Sequence, residues 1–363
     1  MKKYRLVFVL FAFVAMNVWS ERLPDLYQYK TLVASSSKNS QEYRQAMVDG
    51  LAEVILRASG DIATLQNPGI IDALSRPTRY LLQDYFENAN ETIEIDGKQV
   101  PARRLVLEFS SEAILKLLRE FQLPIWPNNR RSVLVWMVVD NAQGQQIVTE
   151  LSFADVLTAT RANAKRRGLP LLLPLMDLED QIALTPKQLW SIDRDAIHTA
   201  SERYNPDTIL VGRLSQTSRG DWRSDWQLFV NDQVEIFDTQ GEKIEDIVAA
   251  GLDAVANYFF QRYAINPQLS SSQGQLLFQV GNIRNFSDYM KVLSYLEQLT
   301  LIRHVDLAAV RGDELLLYLT ADGNVKLLQD TLALDGKLSP REPISNAAPL
   351  GSTENPLLYA WRP

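Results

Sequence analysis

The stretch SVLVWMVVD carries seven consecutive apolar residues, Val133 to Val139. A strand that packs on one side alternates apolar and polar side chains. An unbroken run of this length is satisfied by a strand buried on both faces, in a sheet covered by helices on each side. Downstream, LSFADVLTATRANAKRRG reads as a helix and LPLLLPLMD as a second apolar run. That interval suits a strand–helix–strand crossover joining parallel strands. Pro170 and Pro174 interrupt the second run and make it an edge or irregular strand. A helix near Ile192 to Tyr204, the strands DTILVGRLS, WRSDWQLFV and VEIFDT, and a long helix carrying Ile247, Leu252, Val255 and Phe259 complete a block from 128 to 266.

Two further blocks flank it. Residues 21–127 open with the strand LYQYKTLVA. A helix follows with Tyr43, Met47, Leu51, Val54, Ile55 and Ala58 on one face, capped by Asn39 and stopped by Gly60. RYLLQDYFE and VPARRLVLEF are extended, SSEAILKLLREF is a short helix, and LPIWPNNRR reads as a linker. After the polar joint QLSSSQGQ, residues 274–340 give strand, helix, strand, strand, helix. With a closing strand this is the ferredoxin-like order, and the first block follows the same order with an insertion. Residues 341–363 are an irregular tail in which LLYAW can dock as a strand. The fold class expected is therefore α/β and α+β: three small modules, a central mixed sheet with helices, flanked by ferredoxin-like units.

Residues 1–20, MKKYRLVFVLFAFVAMNVWS, have the three parts of a secretory signal: Lys2, Lys3 and Arg5, then the apolar run from Leu6 to Val18, then small residues at Val18 and Ser20. The run is short of the roughly 20 residues of a spanning helix; an uncleaved anchor is the rival reading. No later segment is long and apolar enough to span, so the processed chain is expected to be soluble. With no cysteine, disulfides, thiolate metal sites and a lipid-carrying cysteine are excluded. These features place the chain in a bacterial periplasm. Removing the signal takes three cations from a net charge of −7 and leaves −10, which argues against nucleic-acid binding.

The stretches VWMVVD, LPLLLPLMD and RYNPDTILVGRL, with a tryptophan-bearing strand behind them, resemble the domain-of-unknown-function 2066 family of exported bacterial proteins. The central block is also similar to the amino-terminal α/β domain of TolB. The resemblance implies export and fold, and no activity.

Chemical motifs are few. His198 and His304 fall in different blocks, and no serine-nucleophile elbow, phosphate-binding loop, zinc-protease helix or dinucleotide fingerprint occurs. No cofactor is implied. Asp140 and Asp177 each follow an apolar strand, and Glu179 and Asp180 lie just beyond Asp177. If the strands run parallel, these carboxylates converge at one sheet edge, where a ligand or hard divalent cation would bind; as turn and capping residues they need no ligand. Arg161, Lys165, Arg166 and Arg167 end a helix, either complementing its dipole or docking an acidic partner or anionic headgroup. Trp222 and Trp226 share one strand face and are expected in the core, with a stacking platform as the alternative. The expectation for function is a periplasmic non-enzymatic protein acting through protein–protein contacts with an envelope partner. The alternatives are a carboxylate-dependent envelope hydrolase and a small-ligand-binding protein.

Overall fold

A computed structural model describes residues 26–34, 37–95, 97–266, 275–343 and 348–362. The signal segment 1–20 and most of the joint QLSSSQGQ lie outside the described residues. The architecture is α/β and α+β, built on three sheets, the first antiparallel and the other two mixed.

The first sheet belongs to β1 (Gln28–Val33), α1 (Gln41–Ser59), α2 (Pro68–Ser75), β2 (Leu81–Ile95), β3 (Lys98–Phe109) and α3 (Ser111–Glu120). Its order is β1-β3-β2, antiparallel throughout. The α1 cap is Ser40 rather than Asn39: its hydroxyl accepts from the Tyr43 amide, while Glu42 reaches out of the helix to the Ala34 amide. Gly60 ends the helix in the left-handed conformation, as expected.

The central sheet is formed by β4 (Val133–Asn141), β5 (Gly144–Ile147), α4 (Ala154–Arg167), β6 (Leu171–Leu172), α5 (Leu178–Ala183), α6 (Pro186–Trp190), α7 (Arg194–Ser201), β7 (Thr208–Gln216), β8 (Trp222–Val230), β9 (Gln233–Gly241) and α8 (Ile244–Tyr263). The order is β5-β4-β7-β8-β9, with β6 beside the start of β4. β6 and β7 both run parallel to β4. The apolar run of β4 is shared between two cores. Val133, Val135, Met137 and Val139 pack with α4 and α8, whereas Leu134, Trp136 and Val138 pack with Leu189 of α6 and Ile197 of α7. Each such side chain contributes roughly 1.5–3 kcal/mol by leaving water, which is why the run tolerates no polar residue.

The third sheet comprises β10 (Leu276–Gly281), α9 (Phe286–Glu297), β11 (Ile302–Arg311), β12 (Glu314–Ala321), α10 (Val325–Asp335), β13 (Leu338–Pro340) and β14 (Leu357–Trp361), ordered β11-β12-β10-β14-β13. LLYAW does dock, but between β10 and β13 and parallel to β10, so the closing strand of the simple ferredoxin-like order is pushed outward to the edge.

LPIWPNNRR is packed rather than loose. Ile125 exchanges backbone hydrogen bonds with Ile265, and Trp126 donates its amide to the Ala58 carbonyl at 2.8 Å. The buried Arg130 guanidinium stacks on Trp126 and donates to the carbonyls of Pro127, Gly168, Arg57 and Trp126. Burial pushes this guanidinium down to about 9, with Arg57 and Arg167 adding to the effect; it stays charged at neutral pH. On the other side, Arg119 of α3 pairs with Asp322 after β12, and the first and third sheets share one apolar core.

Candidate functional site

One open feature among the described residues is the β5/β6 edge of the central sheet. β6 pairs with β4 for only two residues, Val133 with Leu171 and Leu134 with Leu172. Pro174 has no amide hydrogen to continue the ladder. β5 covers β4 again only from Val138 onward, with one further bond from the Val148 amide to the Met137 carbonyl. Between the two short strands lies a cleft of about 250 Å³, walled by Val135, Met137, Val148, Leu157, Leu173 and Met176. Two of its lining residues stand in solvent, Leu151 101% and Leu175 72% exposed, and α5, which brings Gln181 to the lining, carries two more exposed aliphatics, Leu178 at 72% and Ile182 at 73%.

This lip is rigidly built. Asp177 caps α5 by accepting from the Asp180 amide. Arg203, just after α7, grips Asp177 with both terminal nitrogens at 2.8 and 2.9 Å, reaches Asp180 at 3.1 Å and lies 3.5 Å from Glu179. The buried Asp180 carboxylate accepts from the Tyr204 hydroxyl at 2.5 Å and from the Met176 amide at 2.8 Å, while the Leu175 amide donates to the Tyr204 oxygen. Met176 is held at φ 55°, a left-handed conformation that a side chain of this size adopts only under such restraint. The Arg203 bond, then the Asp180 amide, hold the Asp177 carboxyl below its ordinary value. Burial, then the bond to Asp180, push Tyr204 up to about 12. The cluster is a brace that displays Leu175, Leu178 and Ile182.

Of the residues singled out from the sequence, Asp177, Glu179 and Asp180 come together around Arg203. Asp140 does not join them. It sits in register with Gln145 of β5 and Ser215 of β7, because β6 leaves the sheet beside Leu134, well short of it. A guanidinium fills the centre of the acids, and among the described residues no group of three or more histidines and carboxylates is placed to hold a metal ion. Arg161 lines the groove and pairs with Glu150, and Lys165 is exposed on α4. Arg166 and the buried Arg167 turn to Asp253 of α8, and Arg167 also bonds the Gly60 carbonyl. Arg203 and Tyr204 escaped the sequence reading. They lie 26 and 24 residues from their acidic partners, and no motif has that spacing.

Three larger clefts among the described residues do not gather such a patch; one of about 320 Å³ lies beside His198, Asn205, Asp207 and Phe229. One of about 540 Å³ lies between the end of α8 and the start of α10, but its Arg262 and Lys326 are paired with Glu235 and Asp330. One of about 310 Å³ lies where Tyr27, Asn128 and Thr300 meet, among groups that already bond across the junction.

A model described as a domain of unknown function (DUF8605) matches residues 21–127. The match is thus to an uncharacterised family, as expected in kind, but it does not support the resemblance drawn on Val133 to Val230. It covers the first sheet and leaves the groove outside. No curated protein matches the chain.

Proposed function

We propose that the chain is a periplasmic, non-enzymatic protein that acts through protein–protein contacts in assembly or maintenance of the cell envelope, with the β5/β6 groove as its contact face. The observation that carries this reading is the set of four exposed aliphatic side chains, Leu151 and Leu175 lining the cleft and Leu178 and Ile182 on the adjoining helix. Such a patch costs solubility unless it is covered during function. The brace beneath it fits the same role, since a pre-ordered surface loses little conformational freedom on binding. Export and the envelope setting rest on the signal-like residues 1–20 and on the resemblance of Val133 to Val230 to the exported 2066 family and to TolB. The hydrolase alternative needs two free carboxylates facing one cleft, and the acids at this groove are tied to guanidiniums, Glu150 to Arg161 and Asp177 and Asp180 to Arg203.

The test is a photoreactive amino acid placed at Leu175 or Ile182 in cells, with exposed Ile236 on β9 as control position. Discrete protein adducts are expected at the groove, absent from the control and lost when Leu178→Glu is added. Groove positions that yield no adduct, or the same adducts as the control, refute the contact face.

A further inference from the structure

We propose that the groove receives an extended polypeptide segment bearing an aliphatic anchor side chain and a flanking lysine or arginine. This rests on the contact face argued above and names what occupies it.

The first ground is the backbone. Alternate residues of β4 present their polar groups to this edge: the Val133 amide donates to the Pro170 carbonyl, and the Met137 carbonyl accepts from Val148. Ser132, on the other parity, serves β7 through the Thr208 amide. Val135 is the residue between, and its carbonyl is next in line on the groove side. In the parallel register set by Val133–Leu171 and Leu134–Leu172, the residue due to donate to it is Pro174, which cannot. A main-chain amide of an incoming extended segment supplies the missing donor, as in strand addition.

The second ground is size. A cleft of about 250 Å³ falls below the ~300–1,000 Å³ of small-molecule sites and suits the single anchor side chain that dominates many protein contacts.

The third is charge. Glu150 and Arg161 line the groove and pair with each other, while at the lip that supplies Leu175 and Met176 three carboxylates, Asp177, Glu179 and Asp180, share one guanidinium, Arg203. Glu179 is the most exposed of the acids, and its contact with Arg203 is the longest of that cluster. The rim therefore favours a cation beside the anchor. A second copy of the chain, or an anionic lipid surface, would bring negative charge against the same excess.

Two fluorescent peptides with one apolar centre, one flanked by lysine and the other by glutamate, are titrated into the full chain at low salt and followed by anisotropy. The lysine peptide is expected to bind roughly five- to tenfold more tightly, an attraction gained and a repulsion removed at exposed-pair strength. Glu179→Lys should close or reverse that gap, and Pro174→Ala, which restores an amide donor, should weaken both peptides. Equal binding of the two peptides overturns the cationic flank and leaves the contact face standing; binding of neither overturns both. A concentration-dependent dimer dispersed by Ile182→Glu assigns the face to a second copy and overturns the proposal.

Discussion

Trp226 owes its place to two glycines. Its ring covers Gly212, its partner across β7 and β8, and Gly251 on α8; a Cβ at either position would stand 2.5 Å from ring atoms. Its indole nitrogen donates to Thr239, whose hydroxyl donates to the Ile247 carbonyl. Trp222, on the same strand face, is only half-buried, because its strand partners are Gln216 and Gly241 at the ends of β7 and β9. In sequence the two tryptophans look equivalent, and only the placement of α8 separates them. Trp226→Ala is expected to lower stability by roughly 3–5 kcal/mol and Trp222→Ala by less than about 2 kcal/mol, measured by urea unfolding. At the groove, the Asp177 carboxyl is depressed below its ordinary value of 3.8 by Arg203. The tie to Arg203 is thus fully present above that value and is lost as pH falls through the lower folded value. The melting temperatures of wild type and Arg203→Gln should differ at neutral pH and converge in acid. A gap that persists below pH ~2 would mean that Arg203 acts by packing alone.

Strands declare themselves when their side chains meet uniform surroundings. Val133 to Val139 meets apolar layers on both faces, so two-sided burial was legible from composition alone. The prolines of LPLLLPLMD foretold that β6 would be short and marginal. The lip of the groove was not legible, since its form depends on Arg203 and Tyr204, brought back from the far end of α7 by tertiary packing. Nor could spacing show that Arg166 and Arg167 turn toward α8, since a helix end looks the same whether its cations meet water or Asp253. The Leu175–Met176 turn hangs on the buried Asp180 carboxylate. Asp180→Asn keeps the shape but weakens charge-assisted bonds worth about 1.5–3 kcal/mol each. Faster hydrogen exchange at the Leu175 and Met176 amides is expected, with β7 and β8 unchanged. Uniform acceleration across the central sheet would mean that Asp180 supports the whole sheet instead.

At the scale of the molecule, the first and third sheets share a core, while the central one is joined to them through the Trp126–Arg130 seam and the bond from Arg167 to the Gly60 carbonyl. Gly168 belongs to that seam. Its backbone is left-handed at φ +64°, and a Cβ there would collide with the Arg130 guanidinium. Arg130→Met removes the donor to four carbonyls and is expected to cost at least about 3 kcal/mol. It should also split a single calorimetric transition in two, the central sheet separating from the rest. Arg130→Lys should not restore the wild-type trace, because a point charge cannot span carbonyls fixed for a planar fork. One unchanged transition in Arg130→Met would show that apolar contacts alone bind the sheets.

β14 has a consequence in time as well as in space. In sequence β13 precedes β14, yet among the described residues β13 pairs only with β14 in the third sheet. The earlier strand must wait for the later one, and until then the flank of β10, with Phe278 awaiting its stacking partner Tyr359, is a bare template for any passing strand. Two strands therefore join in one late step. A chain ending between Pro340 and Leu357 would leave the sheet open along β10.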